Sequence, residues 1–155
     1  MLLYARDRCN NSKLEFVLLD IGSTLPESFH QQFDHIFSFY CLHWVPDQKQ
    51  AMGNLFDMLR PGGAMLLSLA PNHWIFDIHE KMAESTKWRR YMDDIQTYSL
   101  PYRHCANPAK KMERHLKESG FTEYVCELVD RSYTHPNFFD FWKWTSIVNT
   151  DKICF

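Results

Sequence analysis

Apolar positions along this chain change period in a telling order. Residues 33–67, FDHIFSFYCLHWVPDQKQAMGNLFDMLRPGGAMLL, run apolar, then repeat at helical spacing, then run apolar again. The pattern predicts strand, loop, amphipathic helix, turn and strand, which is one βαβ unit of an open α/β sheet. Residues 34–40 form its aromatic first strand. Asp47 is a helix N-cap, with Gln50 three residues later as in a capping box. Ala51, Met52, Leu55, Phe56 and Leu59 make the buried stripe of the helix. Pro61-Gly62-Gly63 stops it, and a glycine can take the left-handed conformation there. Residues 64–70, AMLLSLA, are nearly continuous in apolar character, as expected of a strand covered on both faces.

The flanking sequence extends this unit. Residues 1–8 read as the end of a helix, broken by Asn10-Asn11-Ser12. Residues 14–19, LEFVLL, predict a short buried strand ending at Asp20. Asn107 and Pro108 suit the N-cap and first position of a helix that buries Met112 and Leu116, and Gly120 and Phe121 suit its end. Residues 124–129 predict the last strand, and residues 138–148, FFDFWKWTSIV, a final aromatic helix. Residues 71–106 are less regular. Trp74, Ile75, Phe76 and Ile78 open a helical stretch, residues 87–95 form a second helix, and residues 99–106 are irregular. This insertion predicts a cap over the ligand edge of the sheet. With no repeat, linker or low-complexity segment, the expectation is one domain spanning residues 1–155.

Bulk properties narrow the function classes. A chain of 155 residues with 45% apolar and 15% aromatic residues can bury a core. A net charge of −2 lacks the basic face of a nucleic-acid binder. The short basic clusters at residues 87–90 and 110–111 read as solvated helix faces. Five cysteines, an odd count without C-x-x-C spacing, read as reduced thiols of a cytoplasmic protein. No apolar run reaches the length of a membrane span, and the eight histidines show no metal-ligand spacing.

Ligands of open α/β sheets bind beyond the carboxyl ends of the strands. The Leu42-His43-Trp44 triplet stands there. The segment D-x-I-x-S-x-x-x-L-H-W-V, followed by a helix and then L-R-P-G-G, resembles the class I S-adenosylmethionine-dependent methyltransferases. With LLDIGS upstream, it looks most like the juvenile hormone acid methyltransferases of arthropods. The L-R-P-G-G turn specifies only the superfamily. The L-H-W triplet narrows it, because carboxyl methyltransferases of the SABATH type and trans-aconitate methyltransferase carry a similar one.

The resemblance implies a Rossmann-like sheet ordered 3-2-1-4-5-7-6, S-adenosyl-L-methionine as cofactor, and a small hydrophobic carboxylic acid as acceptor. It implies that Asp20 accepts a hydrogen bond from the adenine amino group, and that the Ile21 amide reads a ring nitrogen. The backbone carbonyls of Ser38, Phe39 and Tyr40 would face the methionine ammonium. Trp44 would hold one carboxylate oxygen, a task suited to an indole N–H, which only donates. A carboxylate is already a nucleophile at neutral pH, so positioning is the main requirement. His43 either touches the acceptor or orients the loop. Trp74, Phe76, Trp88, Phe138, Phe139, Phe141, Trp142 and Trp144 either line an acyl pocket or pack as ordinary core. Another acceptor, such as a phenol or an amine, stays open.

The chain also departs from the pattern. No G-x-G-x-G loop occurs among its five glycines, and the acidic residue that ends the second strand is absent. The expected architecture is therefore a partial methyltransferase sheet lacking strands 1, 2 and 7, from an N- and C-terminally incomplete record. In the parent order, strands 3 and 4 would stand about 14 Å apart, leaving unpaired edges. The expectations are a chain inactive unaided, or an oligomer that supplies strands in trans. The alternative is an inactive remnant that binds a ligand or partner.

Overall fold

The computed structural model describes residues 2–9, 11–92, 100–132 and 134–148. Two compact units emerge, residues 1–20 with 129–155, and residues 21–128. In the first unit lie helices α1 (Leu2–Arg8) and α5 (Phe138–Val148). The Arg6 guanidinium donates to the Phe16 carbonyl at 2.6 Å. Asn137 caps α5 by accepting from the Asp140 amide at 3.0 Å.

The second unit is built on strands β1 (Phe33–Phe39) and β2 (Leu59–Ser68), joined through helix α2 (Gln48–Met58). The strands pair in parallel, so they require a crossover rather than a tight turn. Asp47 accepts from the Gln50 amide at 2.9 Å and starts α2 as predicted. The Gln50 side chain does not complete the capping box; it donates to Asn54 Oδ1 at 2.9 Å.

The Pro61-Gly62-Gly63 segment departs from the expected helix-stopping turn. Helix α2 already ends in extended backbone at Leu59, and β2 begins there. Phe33 pairs with Leu59 and His35 with Ala64, so residues 60–63 bulge opposite Asp34. Gly62 holds a φ of 81° within this bulge. Arg60 closes it from outside, its Nη1 donating to both carboxylate oxygens of Asp34 at 2.9 and 3.1 Å.

Helices α3 (Trp74–Glu84) and α4 (Pro108–Ser119) complete the unit, and α4 packs on α2. Asn107 caps α4 through the Lys110 amide at 2.8 Å, and Gly120 ends it at a φ of 106°. Phe121 then packs edge-on against Phe56 at 5.0 Å. The core joins Leu42, Val45, Ala51, Met52, Leu55, Tyr102, Met112 and Leu116, with Ile36, Met65 and Leu67 packed on it from the sheet. Among the described residues, one sheet face is covered. The opposite face exposes Phe37, Phe39 and Leu66, so the expectation of a strand buried on both sides is corrected.

Two further expectations are corrected. Residues 14–19 and 124–129 are not strands, and Leu14, Leu18, Val125 and Leu128 are exposed. A strand is defined by its neighbour, and the sheet of the described residues holds only β1 and β2. The second cap helix is also shorter than predicted. A single tight turn, Arg89–Tyr91, forms in its place, and residues 93–99 lie outside the described residues.

The glycines give a paired test. A Cβ at Gly63 would meet backbone oxygens of Arg60 and Asp34 at 2.9 and 3.0 Å, whereas one at Gly53 would meet nothing within 4 Å. Gly63→Ala is expected to cost about 1–3 kcal/mol, and Gly53→Ala, inside α2, to gain about 0.5–1 kcal/mol. Urea unfolding followed by circular dichroism measures both.

Candidate functional site

At its carboxyl end, β1 turns sharply. Tyr40 adopts a φ of 52°, rarely seen for a bulky residue, while its N–H donates to the Ser68 carbonyl at 2.7 Å. The Leu42–Trp44 segment then closes one tight helical turn, with Trp44 N–H on the Cys41 carbonyl at 3.0 Å. Leu42 and His43 are buried, and the Leu42 side chain anchors the turn in the core.

The His43 ring lies between two aromatics, 6.4 Å from Tyr40 edge-on and 5.0 Å from Trp44. Its Nδ1 accepts from the Ala70 amide at a long 3.5 Å. Burial lowers its pKa below the usual imidazole value, so it is neutral at pH 7. Trp44, half-buried, meets Phe76 of α3 edge-on at 6.0 Å. No described residue accepts a hydrogen bond from the Trp44 indole N–H.

Two polar residues of α2 support this turn. Gln48, only 3% exposed, donates through Nε2 to the Leu42 and Val45 carbonyls, both at 2.6 Å. Its Oε1 accepts from the Tyr102 hydroxyl at 3.2 Å. Asn54 donates to the Ile21 and Ser23 carbonyls at 2.8 and 2.6 Å. Neither was among the residues singled out from the sequence. The available signal was a polar residue beside an apolar helical stripe, since such a group must find partners if buried.

The structure brings together some of the predicted residues. Tyr40, His43 and Trp44 form one cluster, with Ser38 and Phe39 just before them on β1. Ile21 packs on the core and is tied to α2 through Asn54. Asp20 falls in the other compact unit and does not close a strand. Of the aromatic set, Phe76 meets Trp44, whereas Trp88 pairs with Tyr91 at 6.4 Å. Trp74 is partly exposed at the start of α3. Phe138, Phe139, Phe141 and Trp142 belong to the other unit, and the Trp144 side chain lies outside the described ones. Phe39 and Tyr40 expose their rings.

A parallel strand pair with a helical crossover, ending in a braced polar-aromatic turn, defines an α/β protein of Rossmann-like type. Residues 6–127 match the family model described as "Methyltransferase domain", and the chain belongs to that family, among the class I methyltransferases. It is similar to the juvenile hormone acid O-methyltransferase of Drosophila melanogaster, 31% identical over 125 residues, covering 79% of this chain and 42% of that protein. The Bombyx mori protein of the same name is 29% identical over 137 residues, covering 88% of this chain and 49% of its own length. A trans-aconitate 2-methyltransferase of Variovorax paradoxus is 36% identical over 72 residues, covering 46% of this chain and 26% of its own length. The chain thus spans less than half the length of each of these relatives.

Methyltransferases of this family generally use S-adenosylmethionine. The described residues do not make a complete cradle for it. Gly53 lies inside α2, Gly62 and Gly63 in the bulge and Gly120 at the end of α4, and none of them shapes a loop after a strand. Gly22 follows residues 14–20, which carry no strand.

Burial of neutral His43 has a pH consequence. Its folded-state pKa lies below the ordinary 6.5, so the unfolded chain binds the proton more readily. The stability it contributes is present above about pH 6.5 and is lost as pH falls through the folded value. His73, His79 and His115 shift in the same direction, so the comparison must be with a variant. Denaturation midpoints between pH 7.5 and 5.5 are expected to fall more steeply in the wild type than in His43→Asn.

Proposed function

We propose that this chain is the acceptor-side part of an S-adenosylmethionine-dependent O-methyltransferase acting on the carboxylate of a small hydrophobic acid, such as a farnesoid acid. The observation that carries this reading is Trp44, held by its turn and by Phe76 with its indole N–H free of any described acceptor. The names of the relatives support the acid: a juvenile hormone acid and trans-aconitate are both carboxylic acids.

The chemistry asked of these residues is modest. A carboxylate needs no base to become a nucleophile, and a group that only donates can hold one oxygen without competing for the methyl. Neutral His43 packs against the Trp44 ring and brings no positive charge to the turn. Apolar neighbours such as Leu42 and Phe76 exclude water, which strengthens the N–H···carboxylate contact.

Asp20 and the Ile21 amide are our proposed adenine contacts, with the Ser38, Phe39 and Tyr40 carbonyls toward the methionine ammonium. In this reading residues 1–155 are part of one methyltransferase domain, and residues 71–106 form its cap. The exposed sheet face and the absent glycine loop are then explained by strands and helices encoded outside these residues.

Two measurements test the reading. Coding sequence joined upstream is expected to contain a strand ending in G-x-G-x-G, and finding none in the complete transcript would argue against it. In the polypeptide carrying both parts, Trp44→Phe is expected to lower kcat/KM for a farnesoid acid by about ten- to hundredfold, as loss of a hydrogen bond to a charged group does. Unchanged methylation of the acid would remove Trp44 from the role.

A further inference from the structure

Trp44 rests on a chain of contacts that leads to two consecutive residues. Tyr102 is 1% exposed, and its hydroxyl donates to Gln48 Oε1 at 3.2 Å. With its Oε1 held, the Gln48 amide is oriented so that Nε2 donates to the Leu42 and Val45 carbonyls, which flank His43 and Trp44. The next residue, Arg103, turns to the other side. Its side chain is 4% exposed, and one guanidinium nitrogen reaches both Asp77 and Glu80 of α3 at 2.8 Å. The same guanidinium lies 5.6 Å from the centre of the Phe76 ring, which meets Trp44 edge-on.

We infer that Tyr102 and Arg103 are positioning residues that brace Trp44 from two directions. Tyr102 acts from beneath, through Gln48 and the turn's carbonyls. Arg103 acts from the α3 side, by fixing the helix and the ring of Phe76. The inference rests on the proposed carboxylate contact of Trp44 and adds what holds that contact in place.

This connection also gives the cap a role. Residues 102 and 103 lie just before α4, so their own placement is tied to the geometry of the acceptor contact. The ion pairs alone do not establish this, because the Asp77 and Glu80 side chains are about half exposed and such pairs contribute little by themselves. The placement of a buried guanidinium over the one α3 ring that touches Trp44 is what links them.

The test uses the polypeptide carrying both parts, with decanoate as the probe and the Trp44 indole N–H resonance, assigned by Trp44→Phe, as the readout. Decanoate is expected to shift that resonance in the wild type, and decanol is not. Tyr102→Phe removes one oxygen, and Arg103→Lys keeps the charge but loses the planar guanidinium over Phe76. Each is expected to weaken the decanoate response about tenfold, while methyl resonances of Leu55 and Leu116 in the core stay in place. Should Tyr102→Phe fail to fold, Arg103→Lys decides the matter. A wild-type response with equal responses in the variants overturns the brace and leaves the carboxylate contact standing. No response in the wild type overturns the carboxylate contact, and the brace as its support falls with it.

Discussion

Parallel pairing of β1 with β2 is the constraint on which the second unit depends. Two parallel strands start at the same end of a sheet, so the chain must travel back between them. Helix α2 makes that return and buries Ala51, Met52 and Leu55 against the strands' inner face. The pairing also puts the carboxyl ends of both strands side by side. The Tyr40 amide reaches the Ser68 carbonyl there, and His43 comes within reach of the Ala70 amide. The Leu42–Trp44 turn exists at this place because β1 must stop, reverse and enter α2 within a few residues.

Helix α2 serves this turn as well as the core. Gln48 and Asn54 are buried amides on a helix whose other buried positions are mostly apolar. Each satisfies two carbonyls of irregular backbone, Gln48 at the triplet turn and Asn54 at Ile21 and Ser23. Irregular backbone carries polar groups that no neighbouring strand can pair, and burying them unpaired is costly. Two side-chain amides of one helix therefore fix both the triplet turn and the backbone at Ile21 and Ser23. The same Gln48 reaches Tyr102, which joins the segment before α4 to the turn.

Among the described residues, the sheet is covered on one face and open on the other. Inner-face Ile36, Met65 and Leu67 meet the core, whereas Phe37, Phe39 and Leu66 face outward, and Phe37 is 66% exposed. An apolar face of this kind on a two-stranded ribbon is adhesive and adds little stability by itself. Apolar composition reports what a strand could bury, and the fold reports what the described residues bury. The two differ at β2, where a nearly continuous apolar run becomes an alternating one.

Local sequence was a sound guide wherever the deciding interaction is local. The βαβ order, the Asp47 and Asn107 caps, the Gly120 stop and the aromatic α5 could be read directly, because caps and helical stripes act over three or four residues. The positions of His43 and Trp44 at a strand end followed from the same reading, and so did the family. Tertiary structure decided the rest. Residues 14–19 and 124–129 have strand composition, but a strand needs a partner, and pairing is a long-range property. Pro61-Gly62-Gly63 reads as a turn, yet it became a bulge because β2 begins pairing at Leu59, before it. Gln48, Tyr102 and Arg103 carry no motif; the fold brings Gln48 to Leu42 and Tyr102, and Arg103 to Phe76. The sequence by itself determined which short segments are helix, cap and core face. The fold determined which strands pair and what braces Trp44, since those depend on contacts between residues far apart in the chain.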